Sequence, residues 1–165
     1  ENIGKYLPRA VRDGSDLEAR EHVAFANTMS GYSMVVGSCT SEHAMEHAMS
    51  AYHQGLPHGA GLIMLSQAYY THFIEKHCCD ERFVRMAQAP GKSDAREPMD
   101  FITALAGLQQ ACGVDGLKMS DYGIVREECE ALAQNARATM GGLFDCDPTP
   151  MSEAECAAIY ARAYR

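Results

Sequence analysis

The sequence predicts an all-α fold, an open array of about six or seven helices, and three observations lead there. Apolar residues recur at spacings of three and four through most of the chain. No stretch alternates convincingly between apolar and polar residues, as a half-buried strand does. Helix starters and stoppers (Ser, Asp, Pro and Gly) sit at the ends of the periodic segments. The 165 residues suit one domain with a real core, read as a single helical domain over 1–165. Unequal helix lengths favour an open array over a regular four-helix bundle.

The elements follow in order. Ser15 and Asp16 are cap candidates for a helix over 16–36 that carries Leu17, Ala19, Val23, Phe25 and Ala26. Thr40 or Ser41 opens a second helix over 41–52. Pro57 ends a linker, and 58–77 reads as a long buried helix with Leu62, Ile63, Leu65, Ala68, Tyr69, His72 and Phe73. Asp80 caps a short helix through Ala89. The segment AQAPGKSDAREP is a loop, because Pro90, Gly91 and Pro98 interrupt it. Pro98 suits the first turn of a helix reaching about Cys112, and Gly113 closes that helix. A further helix over 124–140 has Glu127, Glu128 and Glu130 near its positive end. GGLFDCDPTP is a loop, and Ser152 to Glu155 opens a last helix ending at Tyr164.

Composition narrows the partners. The net charge of −8 excludes nucleic acid and anionic membrane as favoured partners. No apolar run approaches the roughly 18 residues of a membrane span, and ENIGKYLPRAV lacks the apolar stretch of a signal peptide. The seven cysteines are odd in number and scattered, without a CxxC pair. They read as free thiols packed as small hydrophobes in a reducing cytoplasm.

Histidine carries the chemical signal. Four of the seven histidines crowd into SEHAMEHAMSAYHQGLPHGAG. His43 and His47 stand four apart, so their imidazoles share one helix face, a geometry that suits a metal ion. His58 is bracketed by Pro57 and Gly59 at the start of the next helix. Gly59 and Gly61 carry no side chains there and allow a close approach. The same residues also spell H-x-x-E-H from His43 to His47, a metalloprotease pattern in which Glu46 is the base and Glu127 or Glu128 a third ligand. That pattern leaves the Pro-His-Gly element without a role. A third reading is a non-catalytic helical binding domain with an incidental histidine cluster.

HAMEHAMSAYHQGLPHGAGLIM resembles the signature of the iron-containing alcohol dehydrogenases, two histidines four apart followed by Pro-His-Gly opening a long apolar helix. PRAVRDGSDLEAREHVAFANTMSGYSM resembles the helix pair before that signature, and GIVREECEALAQNA and DPTPMSEAECAAIYARAY resemble the closing helices. The resemblance covers essentially the whole chain. It implies the helical domain of a dehydroquinate synthase-like enzyme. The partner would be an N-terminal α/β domain that binds NAD(P) and has no counterpart in these residues. It implies iron(II), or zinc(II), held by one Asp and three His, with His43 and His58 as two of the ligands. The Asp-x-x-x-His pair that supplies the rest is absent from this sequence. It implies that His47 is not a ligand; His47 lies near the nicotinamide and helps proton movement. Met34 maps to a position lining the substrate pocket.

The implied activity is hydride transfer between a small alcohol or aldehyde and NAD(P), in a cytoplasmic homo-oligomer. The 165 residues alone are expected to be inactive and to bind metal weakly. Two departures stand out. Fourteen residues, one more than the commoner number, separate His43 from His58, with His53 or Gln54 as the insertion. Ser50 replaces a frequent glycine. Glu42 and Glu46 flank the histidines and read as solvated carboxylates or as acceptors for ring N–H groups.

Overall fold

A computed structural model describes residues 1–165 and contains eight α-helices. They are α1 (Asn2–Arg12), α2 (Leu17–Gly37), α3 (Ser41–Tyr52), α4 (His58–Glu75), α5 (Asp80–Gln88), α6 (Asp100–Ala111), α7 (Cys129–Met140) and α8 (Glu153–Ala163). Three 3-10 segments span Met119–Tyr122, Arg126–Glu128 and Gly141–Cys146. The chain has no strand, as the missing period-two pattern predicts. It divides into two compact units.

The first unit comprises Glu1–Ser38 and Cys79–Asp115, with α1, α2, α5 and α6. The sequence reading missed α1, which carries Pro8 within it. Gly4 explains how α1 still packs: a Cβ there would lie 2.3 Å from Pro90 Cα, so only glycine permits this approach. Tyr6 stacks on His22 with ring centroids 3.9 Å apart. Arg9 bonds both Asp16 and Glu18 and so ties α1 to the start of α2. Asp16 caps α2 as expected, accepting from Ala19 N–H at 3.0 Å. The rest of α2 is mostly exposed, with Ala19 its one buried residue; Leu17 and Phe25, expected on an apolar side, face solvent. Helices α5 and α6 meet through Phe83 and Phe101. Pro98 precedes α6 by two residues rather than sitting in its first turn. Gly113, at φ +70°, ends α6: Gly113 and Val114 N–H return to the carbonyls of Gln110 and Gln109.

The second unit comprises Cys39–Cys78 and Gly116–Arg165 and holds α3, α4, α7 and α8. Its core is Met45, Met49, Leu65, Tyr69, Phe73, Leu132, Cys156 and Tyr160. Each such side chain contributes about 1.5–3 kcal/mol by leaving water. Tyr160 also donates its hydroxyl to the Met45 carbonyl at 2.6 Å and so pins α8 to α3. All seven cysteines are free thiols. Burial pushes the Cys156 thiol up to about 12, which makes it an inert core group. The helix expected over 124–140 is in fact a 3-10 turn leading into α7, and the loop GGLFDCDPTP contains the third 3-10 segment.

Helix α8 begins with a capping box. Glu155 N–H bonds Ser152 Oγ, and the Glu155 carboxylate accepts from Ser152 N–H at 2.7 Å. Lys76 adds an ion pair at 2.7 Å. The Lys76 ammonium and then Ser152 N–H hold the Glu155 carboxyl down at about 2. This stabilisation is full above the ordinary glutamate range and is lost as pH falls toward about 2. Glu155→Gln is therefore expected to cost about 1 kcal/mol at neutral pH. Urea denaturation at stepped pH should show the gap between the two proteins closing through that acid window. A gap that persists unchanged at the acid end would contradict the account.

Candidate metal centre

The second unit brings His43, His47 and His58 together. One ligand-capable atom from each lies within 4.8 Å of the others. The His58 ring sits 5.2 Å from that of His43 and 5.1 Å from that of His47, centroid to centroid. Two local features produce this. Helix α3 places His43 and His47 one turn apart while Ala44, Met45, Ala48 and Met49 anchor it to the core. The α3–α4 turn is short: His53 N–H bonds Met49 O, Leu56 N–H bonds His53 O, and buried Leu56 plugs it. Pro57 then supplies the extended residue before His58, the first residue of α4. His43 and His58, the two residues that the resemblance pairs, thus lie near one another, and His47 lies as near to His58.

The surroundings are polar and partly buried. Burial lowers the His43 pKa, and the neighbouring His58 and His47 lower it further while Glu46 opposes them. Its neutral imidazole, the form that binds a cation, is thereby favoured. His47 Nδ1 lies against Met140 Sδ. Glu46 has no exposed surface; its carboxylate accepts from Ser50 Oγ–H and meets His58 Nδ1. Glu42 is also buried, with Tyr70 donating to Oε2 at 3.2 Å and Oε1 unpartnered. Burial raises its carboxyl to about 7. Neither glutamate is a solvated carboxylate.

Sequence reasoning missed Asp147. Helix α3 lacks a side-chain cap at Thr40, and Asp147 supplies one from 106 residues away by accepting Ser41 N–H at 3.1 Å. The same oxygen accepts from Tyr69 at 2.7 Å. No local signal could reveal this long-range cap.

His53, the residue of doubtful role in the turn, bonds Glu128 through Nε2 at 3.1 Å. Glu128 also accepts from Val125 N–H. Glu128 is thus committed to His53, and Glu46 is sealed from solvent against His58, so the protease reading loses its base and one of its two candidate third ligands. Gly59 has open space around it, whereas Gly61 faces the Glu46 side chain. Met34 lies in the other unit, exposed in the last turn of α2.

The donor set fits a divalent transition metal. Imidazoles from two helices, that of His58 backed by a carboxylate, suit iron(II) or zinc(II). Comparison with known proteins decides the family. Residues 1–164 match the Fe-containing alcohol dehydrogenase family, C-terminal region. The chain belongs to this family.

Its relatives agree. The chain is 27% identical over 167 residues to the long-chain primary alcohol dehydrogenase AdhA of Thermoanaerobacter ethanolicus, covering 98% of this chain and 41% of that protein. It is 35% identical over 136 residues to the probable alcohol dehydrogenase EutG of Escherichia coli strain K12, covering 81% of this chain and 33% of that protein. An archaeal halo-thermophilic alcohol dehydrogenase from a Red Sea brine pool superposes with a TM-score of 0.90 at 29% identity, over 98% of this chain and 42% of that one. The chain therefore spans about two fifths or less of the length of these relatives. An incidental histidine cluster in an unrelated interaction domain is not favoured. No helix is long and apolar enough to cross a membrane.

Zinc(II) titrated into the 165-residue chain is expected to bind at one site, in the micromolar range or weaker, because the imidazoles act without a ligand carboxylate. His43→Ala and His58→Ala should each remove the calorimetric signal. Nanomolar binding would show the ligand set to be complete within these residues. Unchanged binding in both variants would place the zinc elsewhere.

Proposed function

We propose that these residues form the helical, metal-holding part of an NAD(P)-dependent alcohol dehydrogenase. The convergence of His43 and His58, with His47 beside them, carries the reading, and membership of the family supports it. His43 and His58 would hold iron(II) or zinc(II). When bound, the cation supplies Lewis acidity, polarising the oxygen of an alcohol or aldehyde.

The chain's own residues do the rest. Helix α3 and the Pro57 turn set the two ligand rings at a fixed separation. The buried face of α3 leaves the site dry on one side, which strengthens every charge interaction there. His47, exposed and held against Met140, is free to carry a proton between the site and solvent. The nicotinamide cofactor belongs to a region other than the one described, since no glycine-rich strand–turn–helix occurs in this all-helical chain. The substrate class is a small primary alcohol or its aldehyde. The working form is a homo-oligomer in a reducing cytoplasm, to which seven free thiols are suited.

The test follows the reaction. The protein that joins these residues to a dinucleotide-binding region should reduce NAD+ or NADP+ with a primary alcohol, and only with metal present. His58→Ala should lower that rate at least about 100-fold. The 165 residues alone, metal-loaded, should give no turnover. Absence of alcohol-dependent reduction in the joined protein would contradict the dehydrogenase reading. Turnover by the 165 residues alone would contradict the placement of the cofactor.

A further inference from the structure

Glu46 sits at full burial one helical turn below Ser50, and its contacts form a unit across two helices. A carboxylate is stable in such a place only when its oxygens are engaged. Both are: Ser50 Oγ–H donates to Oε1 at 2.5 Å, and His58 Nδ1 meets Oε2. A carboxylate only accepts, so the proton in the second contact sits on His58 Nδ1.

The space for this carboxylate comes from α4. A Cβ on Gly61 would lie 2.6 Å from Glu46 Cγ and 2.7 Å from Oε1. Any side chain at 61 therefore displaces Glu46. Ser50, which departs from the frequent glycine, is the residue that satisfies the second oxygen. His58 itself is 46% exposed, at the first residue of a helix. Solvent alone would let its ring rotate and exchange tautomers. A bond to a fixed, buried carboxylate removes both freedoms.

We propose that Glu46 is a positioning residue: it locks His58 as the Nδ1–H tautomer and leaves Nε2 as the nitrogen offered to a cation, with Ser50 and Gly61 as its supports. The lock is a property of the metal-free chain. Its purpose rests on the reading of His58 as a ligand. The residue classes at 46, 50 and 61 then form one interdependent set. Glutamate at 46 requires glycine at 61, and serine at 50 completes its hydrogen bonds.

Long-range proton–nitrogen NMR of the metal-free chain at about pH 9, where free imidazole is neutral, reads the tautomer directly. Wild type is expected to show His58 as Nδ1–H. The informative variant is Glu46→Ala combined with Gly61→Ala, in which the new methyl enters the space the carboxylate leaves. There His58 should become Nε2–H or mixed, and zinc affinity by calorimetry should fall about 10–100-fold. Glu46→Gln, which keeps an acceptor and the shape, should retain Nδ1–H and most of the affinity. It also supplies a well-packed reference if the double variant folds poorly. Gly61→Ala alone should disturb the tautomer by evicting Glu46.

A wild-type His58 in the Nε2–H form, or an Nδ1–H form that survives the double substitution, overturns the proposal. The two readings separate cleanly. A Glu46-dependent tautomer with no zinc bound at His58 supports the lock and sinks the metal reading. Zinc bound through His58 equally well in all variants, with the tautomer unmoved, does the reverse.

Discussion

Three imidazoles held within a few ångströms repel one another whenever more than one is protonated, and the second unit is organised around that cost. One donor atom each from His43, His47 and His58 lies within 4.8 Å of the others. Burial, and after it the neighbouring His58 and His47, lower the His43 pKa, while Glu46 opposes them. The fold offsets the repulsion in two ways. It buries an acceptor, Glu46, against His58, and it leaves His47 at the solvent edge. A divalent cation placed between His43 and His58 would turn part of that crowding into binding, since each of those two neutral rings would then contribute a lone pair.

Behind the imidazoles lies a buried polar layer that holds α3 in place. Asp147 caps the helix and accepts from Tyr69; Tyr70 donates to Glu42; Tyr160 donates to the Met45 carbonyl. These bonds come from α4, α8 and the segment following the third 3-10 turn. Each fixes the register of α3, and so the direction in which His43 and His47 project. The His53–Glu128 pair does the same for the turn between α3 and α4. Sequence-distant residues thus set the geometry of a site whose chemical groups are local in sequence.

That division explains what could be read from the sequence. Seven of the eight helices were legible because caps and breakers such as Asp16, Pro57, Gly113 and Ser152 act within a few residues. Helix α1 was not, since Pro8 argues against a helix locally and the close approach of Gly4 to Pro90 is a tertiary fact. Spacing alone suggested His43 with His47; the pairing of His43 with His58 was legible only through the resemblance of the His-rich segment to the family signature. The burial of Glu42 and Glu46 was not. A glutamate beside a histidine looks solvated until the helix facing it proves to carry a glycine at the contact, as Gly61 does. Asp147 was invisible for the same reason: its partner at Ser41 lies 106 residues away.

His43 and His58 lie close enough to be proposed as ligands of a common ion. Anomalous diffraction at the zinc edge, from crystals of the 165-residue chain grown with zinc(II), tests that proposal most directly. The account expects one strong peak at about 2.0–2.1 Å from a ring nitrogen of each residue, with Glu46 still on His58 Nδ1. A peak bound elsewhere, or rings of His43 and His58 too far apart to share one ion, would contradict it.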